Sequence, residues 1–311
     1  NASLDLVDDI KEDFCFLHIG QWTKGGYGED RKDIAKLIKI FYESFANKEK
    51  QPALILKTNG AGFSILDRED CLAKIKDVKS RFPSDWNLPN VYLLHGSLSD
   101  EEINKLYNHP KIKAFVSLTH GEGFGRPLLE ATMTGLPVIA TNWSGHLDFL
   151  SDSNSMLLGG ELKQVPKSLV WKDIIIPESQ WFNVNETQAY KSLNYSFQNY
   201  DEVKKKAINL MKVNREKFTL NKMTEKLDEA QVMQCINCGY TTSTKFKGIK
   251  ADNEDFQKLG EDMKNWAKEK NGHIWIPSII TLPIGMLYPT NIKKEMKWAF
   301  APMVEIPEEE R

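Results

Sequence analysis

Residues 120–130 read His-Gly-Glu-Gly-Phe-Gly-Arg-Pro-Leu-Leu-Glu and lie between two apolar runs, residues 113–118 and 135–141. This order predicts a strand, a glycine-rich loop, a short helix and a second strand. Three glycines at alternate positions let the backbone approach a ligand closely, and Pro127 suits the first turn of a helix. Because the free amides and the positive dipole end of such a helix favour an anion, the pattern predicts a phosphate site.

Two carboxylates, Glu122 and Glu130, frame this loop with seven residues between them. A carboxylate repels a phosphate but accepts hydrogen bonds from hydroxyl groups, so the two residues fit a ligand that carries both, such as a sugar nucleotide. The alternative is that Glu130 complements the helix dipole and Glu122 is a solvated loop charge. Spacing alone does not separate these two interpretations.

The segment from Glu122 to Glu130 resembles the Glu-x7-Glu motif of the retaining, nucleotide-sugar-dependent glycosyltransferases of family 4, which have the GT-B fold. The resemblance extends more loosely over residues 14–229 and implies the C-terminal, donor-binding domain of that fold. It implies that Glu130 binds the ribose hydroxyls and that Glu122 contacts the donor sugar as a catalytic residue. The amides of Gly123, Phe124 and Gly125 would approach the diphosphate or the sugar. The implied donor is a nucleoside diphosphate sugar, and the resemblance requires no further cofactor.

The resemblance also implies cations for the diphosphate. Members of the family have a Gly-Arg pair after the first strand, whereas Gly20 is followed here by glutamine. Lys32, preceded by Arg31, matches the lysine at the start of the next helix and is the preferred catalytic candidate, with Lys24 as the competing position. Lys57 ends a predicted buried strand, where a lysine needs a partner or a ligand. A side chain that reaches solvent at the sheet edge fits Lys57 equally well.

Strand-like and helix-like segments alternate along the first two thirds of the chain. The predicted strands are residues 14–19, 53–57 and 91–95, and the predicted helices are residues 30–46, 67–80, 99–107, 186–197 and 201–227. A Ser99-x-x-Glu102 capping box opens the third of these helices. The alternation predicts an α/β fold with a Rossmann-like, doubly wound parallel sheet. Ligands bind at the carboxyl ends of such strands, so Gly20, Lys57, Gly96 and the Glu122 loop should converge on one crevice.

Composition excludes several classes of protein. The 311 residues carry a net charge of −2, which gives no global basic field for nucleic acid. The sequence shows no apolar run of the roughly 20 residues that span a bilayer, and no secretory signal pattern. Four cysteines in a chain of this length do not form a disulfide framework, so we expect a cytoplasmic protein.

The character of the sequence changes near residue 231, which predicts two domains, residues 1–230 and a small appended module of residues 231–311. Cys235 and Cys238 in this tail resemble half of a zinc ribbon, but a structural zinc site needs four ligands and no second cysteine pair follows. Free thiols in a turn are therefore preferred over bound zinc. An interpretation based on the tail alone predicts a zinc-ribbon-like adaptor that binds nucleic acid, and the balanced charge argues against it.

The sequence starts almost directly at the first predicted strand of what resembles a C-terminal half. We therefore expect a fragment of a GT-B enzyme that lacks the N-terminal, acceptor-binding domain. The first hypothesis is an enzyme that transfers a glycosyl unit from a nucleoside diphosphate sugar to an unknown acceptor with retention. The second is a nucleotide-sugar-binding module without activity. Apolar surface left by the missing domain would be exposed or used for self-association, which makes a homo-oligomer one expected form.

Overall fold

The computed structural model describes residues 7–23, 27–170, 175–219, 221–222, 233–234 and 241–242. The chain divides into two compact units, residues 1–216 and 217–311. In the second unit, Met233–Gln234 pairs with Thr241–Thr242 as a short antiparallel ladder. Cys235 and Cys238 lie outside the described residues, so the zinc interpretation stays a prediction, as does the domain division at residue 230.

The first unit is built on a six-stranded sheet in which every pairing is parallel. Its strands are β1 (Cys15–Gln21), β2 (Ala53–Asn59), β3 (Val91–Leu94), β4 (Ile112–Ser117), β5 (Val138–Thr141) and β6 (Met156–Leu158). They are arranged in the order β3-β2-β1-β4-β5-β6. This is the doubly wound order in which ligands bind where the strand order reverses, between β1 and β4. The predicted α/β, Rossmann-like fold is confirmed.

In the part of the chain that the structure describes, six α-helices connect and cover these strands. They are α1 (Ile34–Phe45), α2 (Ile65–Ser80), α3 (Asp100–Tyr107), α4 (Arg126–Met133), α5 (Glu186–Gln198) and α6 (Tyr200–Lys217). The apolar face of α1 packs on β1, where Phe16 contacts Phe41 and Phe45 with ring centroids 6.0 and 5.9 Å apart. This continuous apolar layer is the core of the unit. None of the helices in the described part of the chain has the length and apolar content needed to cross a bilayer.

The predicted capping box of α3 is confirmed. Ser99 Oγ accepts a hydrogen bond from the Glu102 amide at 3.2 Å, and the Glu102 carboxylate accepts one from the Ser99 amide at 2.8 Å. Both orphan donors at the start of the helix are therefore satisfied by side chains.

The start of α1 differs from the prediction, because the helix begins at Ile34 and not at residue 30. The Asp30 carboxylate accepts hydrogen bonds from the Thr23 and Lys32 amides at 3.2 and 3.1 Å, which holds this segment in a turn. Asp33 then adopts the left-handed conformation with φ 50°. Arg31 and Lys32 consequently lie in the loop before the helix and not in its first turn.

A second, two-stranded sheet lies beside the loop that follows β4. It consists of β7 (Gly160–Gln164) and β8 (Gln180–Val184), which pair antiparallel. The Phe182 amide donates to the His120 carbonyl oxygen at 3.3 Å. The strand β8 therefore supports the glycine-rich loop from the side.

Candidate functional site

A cleft of about 800 Å³ lies at the carboxyl ends of the central strands. Gly20 from the end of β1, Lys57 from β2 and Glu130 from α4 line it together. Other lining residues come from the segment after β3, from α3 and from α6; they include Ser97, Leu98, Ile103, Tyr107 and Arg215. The cleft therefore occupies the topological switch point at which doubly wound folds bind ligands.

Helix α4 begins beside this cleft as the sequence predicts. Gly125 is its N-cap, with φ 86°, a left-handed conformation that glycine adopts without a Cβ penalty. Pro127 lies in the first turn, and the Leu128 and Leu129 amides donate to the Gly125 carbonyl oxygen at 2.9 and 3.1 Å. The positive end of the helix dipole is thus directed towards the loop of Glu122.

The glycine-rich loop is held by the segment after β5. Ser144 Oγ accepts a hydrogen bond from the Glu122 amide at 2.8 Å, and the Gly145 amide donates to the Glu122 carbonyl oxygen at 3.0 Å. A Cβ on Gly145 would lie 2.0 Å from the Gly123 carbonyl oxygen, so a glycine is required there by close backbone contact. These contacts fix the backbone of the loop before any ligand binds.

Glu122 is the centre of an ion cluster in which the Glu122 and Lys32 side chains are nearly buried and the Arg31 side chain is exposed. Its carboxylate pairs with the Lys32 ammonium, and Arg31 Nη1 lies 3.3 Å from Glu122 Oε2 and 2.9 Å from the Gly121 carbonyl oxygen. Burial alone would raise the pKa of Glu122, but the Lys32 and Arg31 charges lower it below its usual value. Burial lowers the pKa of Lys32, although the Glu122 carboxylate opposes that shift. The three charges sum to one positive charge, which suits an anion.

Glu130 is positioned in the cleft by two neighbours. Tyr107 Oη donates to Glu130 Oε2 at 3.0 Å, and Arg126 Nε lies 2.9 Å from Glu130 Oε1. Burial, followed by the nearby Glu130 charge, raises the pKa of Tyr107, so its hydroxyl stays a donor. An ionised carboxylate has about four acceptor positions, so Glu130 retains capacity for hydroxyl groups of a ligand.

Lys57 has a protein partner as well as a place in the cleft wall. Its ammonium donates to the carbonyl oxygen of Gly96, and the Phe63 ring lies 5.7 Å away. Burial lowers the pKa of Lys57. The predicted need for a partner is met by a backbone oxygen, which leaves two further donors on the ammonium group.

Phe124 and Gly123 occupy different environments in the loop. The Phe124 ring contacts the Phe149 ring edge-on with centroids 5.3 Å apart, so it contributes to packing. Gly123 is exposed, and no described atom lies within 4 Å of the position of an added Cβ. Of the two residues, Gly123 is therefore the one with open space for a ligand.

His18 and His120 are two of the histidines buried near the site. His18 donates from Nδ1 to the Val116 carbonyl oxygen at 2.8 Å, and its Nε2 has no hydrogen-bond partner among the described residues. Burial lowers the pKa of His18 to about 4. His120 Nδ1 donates to the Phe182 carbonyl oxygen at 2.7 Å, and the His120 ring stacks on Trp181 at 4.8 Å. In both rings Nδ1 is therefore bound to a backbone carbonyl oxygen.

The structure divides the predicted residues into two neighbouring groups. Gly20, Lys57 and Glu130 line the cleft, whereas Arg31, Lys32, Glu122, Gly123, Phe124 and Gly125 do not line it. The groups adjoin because a Cβ on Gly20 would lie 3.3 Å from Lys32 Cγ. Sequence reasoning missed Arg126, Tyr107 and Arg215 in the cleft wall. The four-residue spacing of Arg126 and Glu130 on α4 was a usable signal, whereas nothing local indicates Arg215.

No set of three or more potential metal ligands occurs in the parts of the chain that the structure describes. Cys15 and Cys71 are buried free thiols.

A doubly wound domain with a glycine-rich loop at the carboxyl edge of its sheet is the class of protein that fold and site define. Residues 76–162, which include the Glu122–Glu130 loop, match the family model described as Glycosyl transferases group 1. This match covers less than half of the chain and supports a group 1 glycosyltransferase domain. A search of curated proteins found no match.

Several solved structures are similar to part of this chain. HepE (Alr3699) from Anabaena, in complex with UDP and glucose, is 14% identical with a TM-score of 0.49, covering 73% of this chain and 50% of HepE. The C-terminal domain of a glycosyl transferase group 1 protein (LpcC) from Francisella tularensis is 16% identical with a TM-score of 0.47, covering 69% and 91% of the two chains. Sucrose-phosphate synthase from Thermosynechococcus elongatus is 14% identical with a TM-score of 0.49. The match covers 73% of this chain and 47% of the synthase. The chain thus spans about half the length of HepE.

Proposed function

We propose that this chain is the donor-binding domain of a retaining, family 4 glycosyltransferase, which transfers a sugar from a nucleoside diphosphate sugar to an acceptor. The observation that carries the proposal is the convergence of Gly20, Lys57 and Glu130 on one cleft beside the Glu122 ion cluster. The match of residues 76–162 to group 1 glycosyltransferases supports the same function.

The charges of the site suit a diphosphate. Lys57, Arg126 and Arg215 outnumber Asp100 and Glu130 in the cleft wall, which gives the cleft one excess positive charge. The adjoining ion cluster adds a second positive charge. Together with the dipole of α4, these cations favour a ligand that carries two phosphates.

The two carboxylates take separate roles in this proposal. Glu130, oriented by Tyr107 and Arg126, accepts hydrogen bonds from the ribose hydroxyls. Glu122 lies at the other end of the loop and orients the donor sugar. Both are held in place by protein contacts before the ligand arrives, which reduces the entropy cost of binding.

Catalysis is electrostatic in this proposal. Transfer breaks the bond between the anomeric carbon and a diphosphate oxygen while the acceptor hydroxyl oxygen bonds to that carbon. The hydroxyl proton passes to the leaving diphosphate, on which negative charge develops as it departs. Lys32, with Arg31 or Lys57, stabilises that charge, and the backbone amides of Gly123 and Gly125 add to the stabilisation. The ion pair with Glu122 keeps the Lys32 ammonium beside Gly20 and charged before the ligand arrives.

The remaining parts of the proposal concern the whole protein. HepE is described in complex with UDP and glucose, which makes UDP-glucose the first donor to test. A second, N-terminal domain would supply the acceptor site, and self-association of this chain into a homo-oligomer is also part of the proposal. A cytoplasmic location is also part of the proposal and is supported by the low cysteine content.

The test is calorimetric titration with UDP, GDP, ADP and their glucose, mannose and N-acetylglucosamine derivatives. We expect the nucleotides of one base to bind. Glu130→Gln should weaken their binding by about tenfold, because the ribose hydroxyls lose a charged acceptor. Glu202→Gln is a matched control, since Glu202 also accepts from a tyrosine, Tyr195, at 2.5 Å and pairs with a helical cation, Lys206, at 2.8 Å. It lies on α6 and outside the cleft wall.

Equal binding by the wild type and Glu130→Gln would contradict the assignment of the ribose site. Binding by the wild type without transfer or hydrolysis of the donor would favour the nucleotide-sugar-binding module instead of an enzyme.

A further inference from the structure

Trp143 is a large aromatic residue on the surface beside the Glu122 loop. It is 40% exposed, although tryptophan side chains are usually well buried. It follows β5, so it lies at the same edge of the sheet as the glycine-rich loop. A Cβ on Gly121 would lie 3.8 Å from Trp143 Cδ1 and Nε1, which places the indole next to the residue that precedes Glu122.

The position of this indole is fixed by the protein. Its ring is parallel to the Phe182 ring, with an angle of 4° between the planes and 5.9 Å between centroids. The next residue, Ser144, has φ 78° and accepts the Glu122 amide hydrogen at 2.8 Å. Because Ser144 and Gly145 are hydrogen-bonded to the backbone of Glu122, the backbone next to Trp143 is tied to the Glu122 loop. A rigid aromatic ring loses little conformational entropy when a ligand stacks on it.

The chemistry next to Trp143 fits a sugar ring and not a nucleobase. Glu130, the proposed ribose ligand, lies in the cleft wall, whereas Trp143 does not line the cleft and adjoins the loop at its Glu122 end. A pyranose has a face of C–H groups and an edge of hydroxyls. An aromatic ring packs against the C–H face, and a carboxylate accepts hydrogen bonds from the hydroxyls.

We propose that Trp143 and Glu122 together form a pyranose subsite, in which the exposed indole stacks on the C–H face of the sugar. Such a combination of aromatic surface with a few placed polar groups is typical of small-molecule sites. The inference rests on the proposed function and adds a specificity-determining residue to it. The pyranose is either the glycosyl group of the donor or a sugar of the acceptor, and the two arms of the experiment distinguish these sources.

The experiment compares the wild type with Trp143→Ala, Trp143→Phe and Trp86→Ala. Trp86 is a matched control because it is 39% exposed and also contacts a phenylalanine, Phe82, at 6.0 Å. It lies before β3, at the amino ends of the strands and far along the sheet from the site. Thermal unfolding of each variant checks that the fold is intact.

The first arm measures the affinities of each nucleoside diphosphate and of its sugar derivatives by calorimetry. If the donor sugar occupies the subsite, Trp143→Ala weakens binding of the nucleotide sugar by about tenfold and leaves the nucleoside diphosphate within about twofold. The second arm titrates maltose and mannobiose into protein saturated with the nucleoside diphosphate and measures their affinities by calorimetry as well. If the acceptor occupies the subsite, the heat of saccharide binding is present in the wild type and lost in Trp143→Ala.

Trp143→Phe, which keeps an aromatic ring, should recover most of the affinity in whichever arm responds, and Trp86→Ala should match the wild type. The subsite is overturned if Trp143→Ala binds every nucleotide, nucleotide sugar and saccharide as the wild type does. If the wild type binds no nucleotide, the saccharides are titrated into the free protein, and binding that depends on Trp143 would then support the subsite and contradict the proposed function. A wild type that binds none of these ligands would contradict both.

Discussion

The ion pair between Lys32 and Glu122 allows a quantitative prediction for Lys32→Met. The two side chains are 10% and 8% exposed, so the substitution leaves a nearly buried carboxylate without its main partner. Removing one member of a buried pair costs roughly 3–5 kcal/mol. Arg31 stays 3.3 Å from the carboxylate but is 52% exposed and hence well solvated. We therefore expect a loss near the lower limit, about 3 kcal/mol at pH 7.5.

This loss should depend on pH in a defined direction. In the wild type the Lys32 charge lowers the pKa of Glu122 against the effect of burial. Without Lys32, burial dominates and the pKa of Glu122 in the folded variant rises above its unfolded value. The folded variant then binds a proton more tightly than the unfolded chain, so its stability deficit should shrink as the pH falls from 7.5 towards 5.

The assay is urea denaturation followed by circular dichroism at several pH values. A loss of about 3 kcal/mol corresponds to a melting temperature lower by about 6–12 °C for a unit of this size. Lys105→Met is the control, because Lys105 pairs with Glu101 at 2.6 Å while both side chains are exposed. Its stability should not differ measurably from that of the wild type. A Lys32→Met variant within 1 kcal/mol of the wild type, or a deficit that grows on acidification, would refute the reasoning.

Two further predictions concern the backbone contact behind the loop and the buried histidine. Gly145→Ala should lose about 3 kcal/mol of stability in urea denaturation, because its Cβ would lie 2.0 Å from the Gly123 carbonyl oxygen. Gly123→Ala, which has open space, is the control, and equal stability of the two variants would contradict the contact. Burial lowers the pKa of His18 from 6.5 to about 4. The neutral ring therefore contributes its full stabilisation above pH 6.5, and this contribution is lost as the pH falls towards 4. Between pH 7.5 and 5 the wild type should lose about 2 kcal/mol of stability through this group, and His18→Asn should abolish that part of the loss. The charges that act on His18 are those of Lys32 and Glu122. The same pH dependence of stability in both proteins would contradict a neutral His18.

Much of the fold could be predicted from local sequence rules. The Ser99 capping box was predictable because both of its hydrogen bonds form within four residues. The strand–helix alternation was sufficient to predict the parallel sheet, and the sheet in turn brings Gly20, Lys57 and Glu130 to one edge.

The contacts that sequence reasoning did not reach join distant segments. The partner of Lys57 is the backbone oxygen of Gly96, 39 residues away, and a backbone acceptor leaves no mark in the side-chain sequence. The predicted start of α1 was four residues too early, because apolar periodicity does not reveal that Asp30 holds a turn before Ile34. The separation of Glu122 from the cleft wall likewise depends on its tertiary pairing with Lys32.

The central claim is that a nucleoside diphosphate binds across the carboxyl edge of the sheet, with its ribose on Glu130. The most direct measurement is a crystal structure of the chain with the nucleoside diphosphate that calorimetry identifies. We predict ribose hydroxyl oxygens within about 2.6–3.2 Å of the Glu130 carboxylate, and the diphosphate at the start of α4 near Gly125 and Lys32. A nucleotide bound at another surface, or one whose phosphates contact neither α4 nor these cations, would contradict the account.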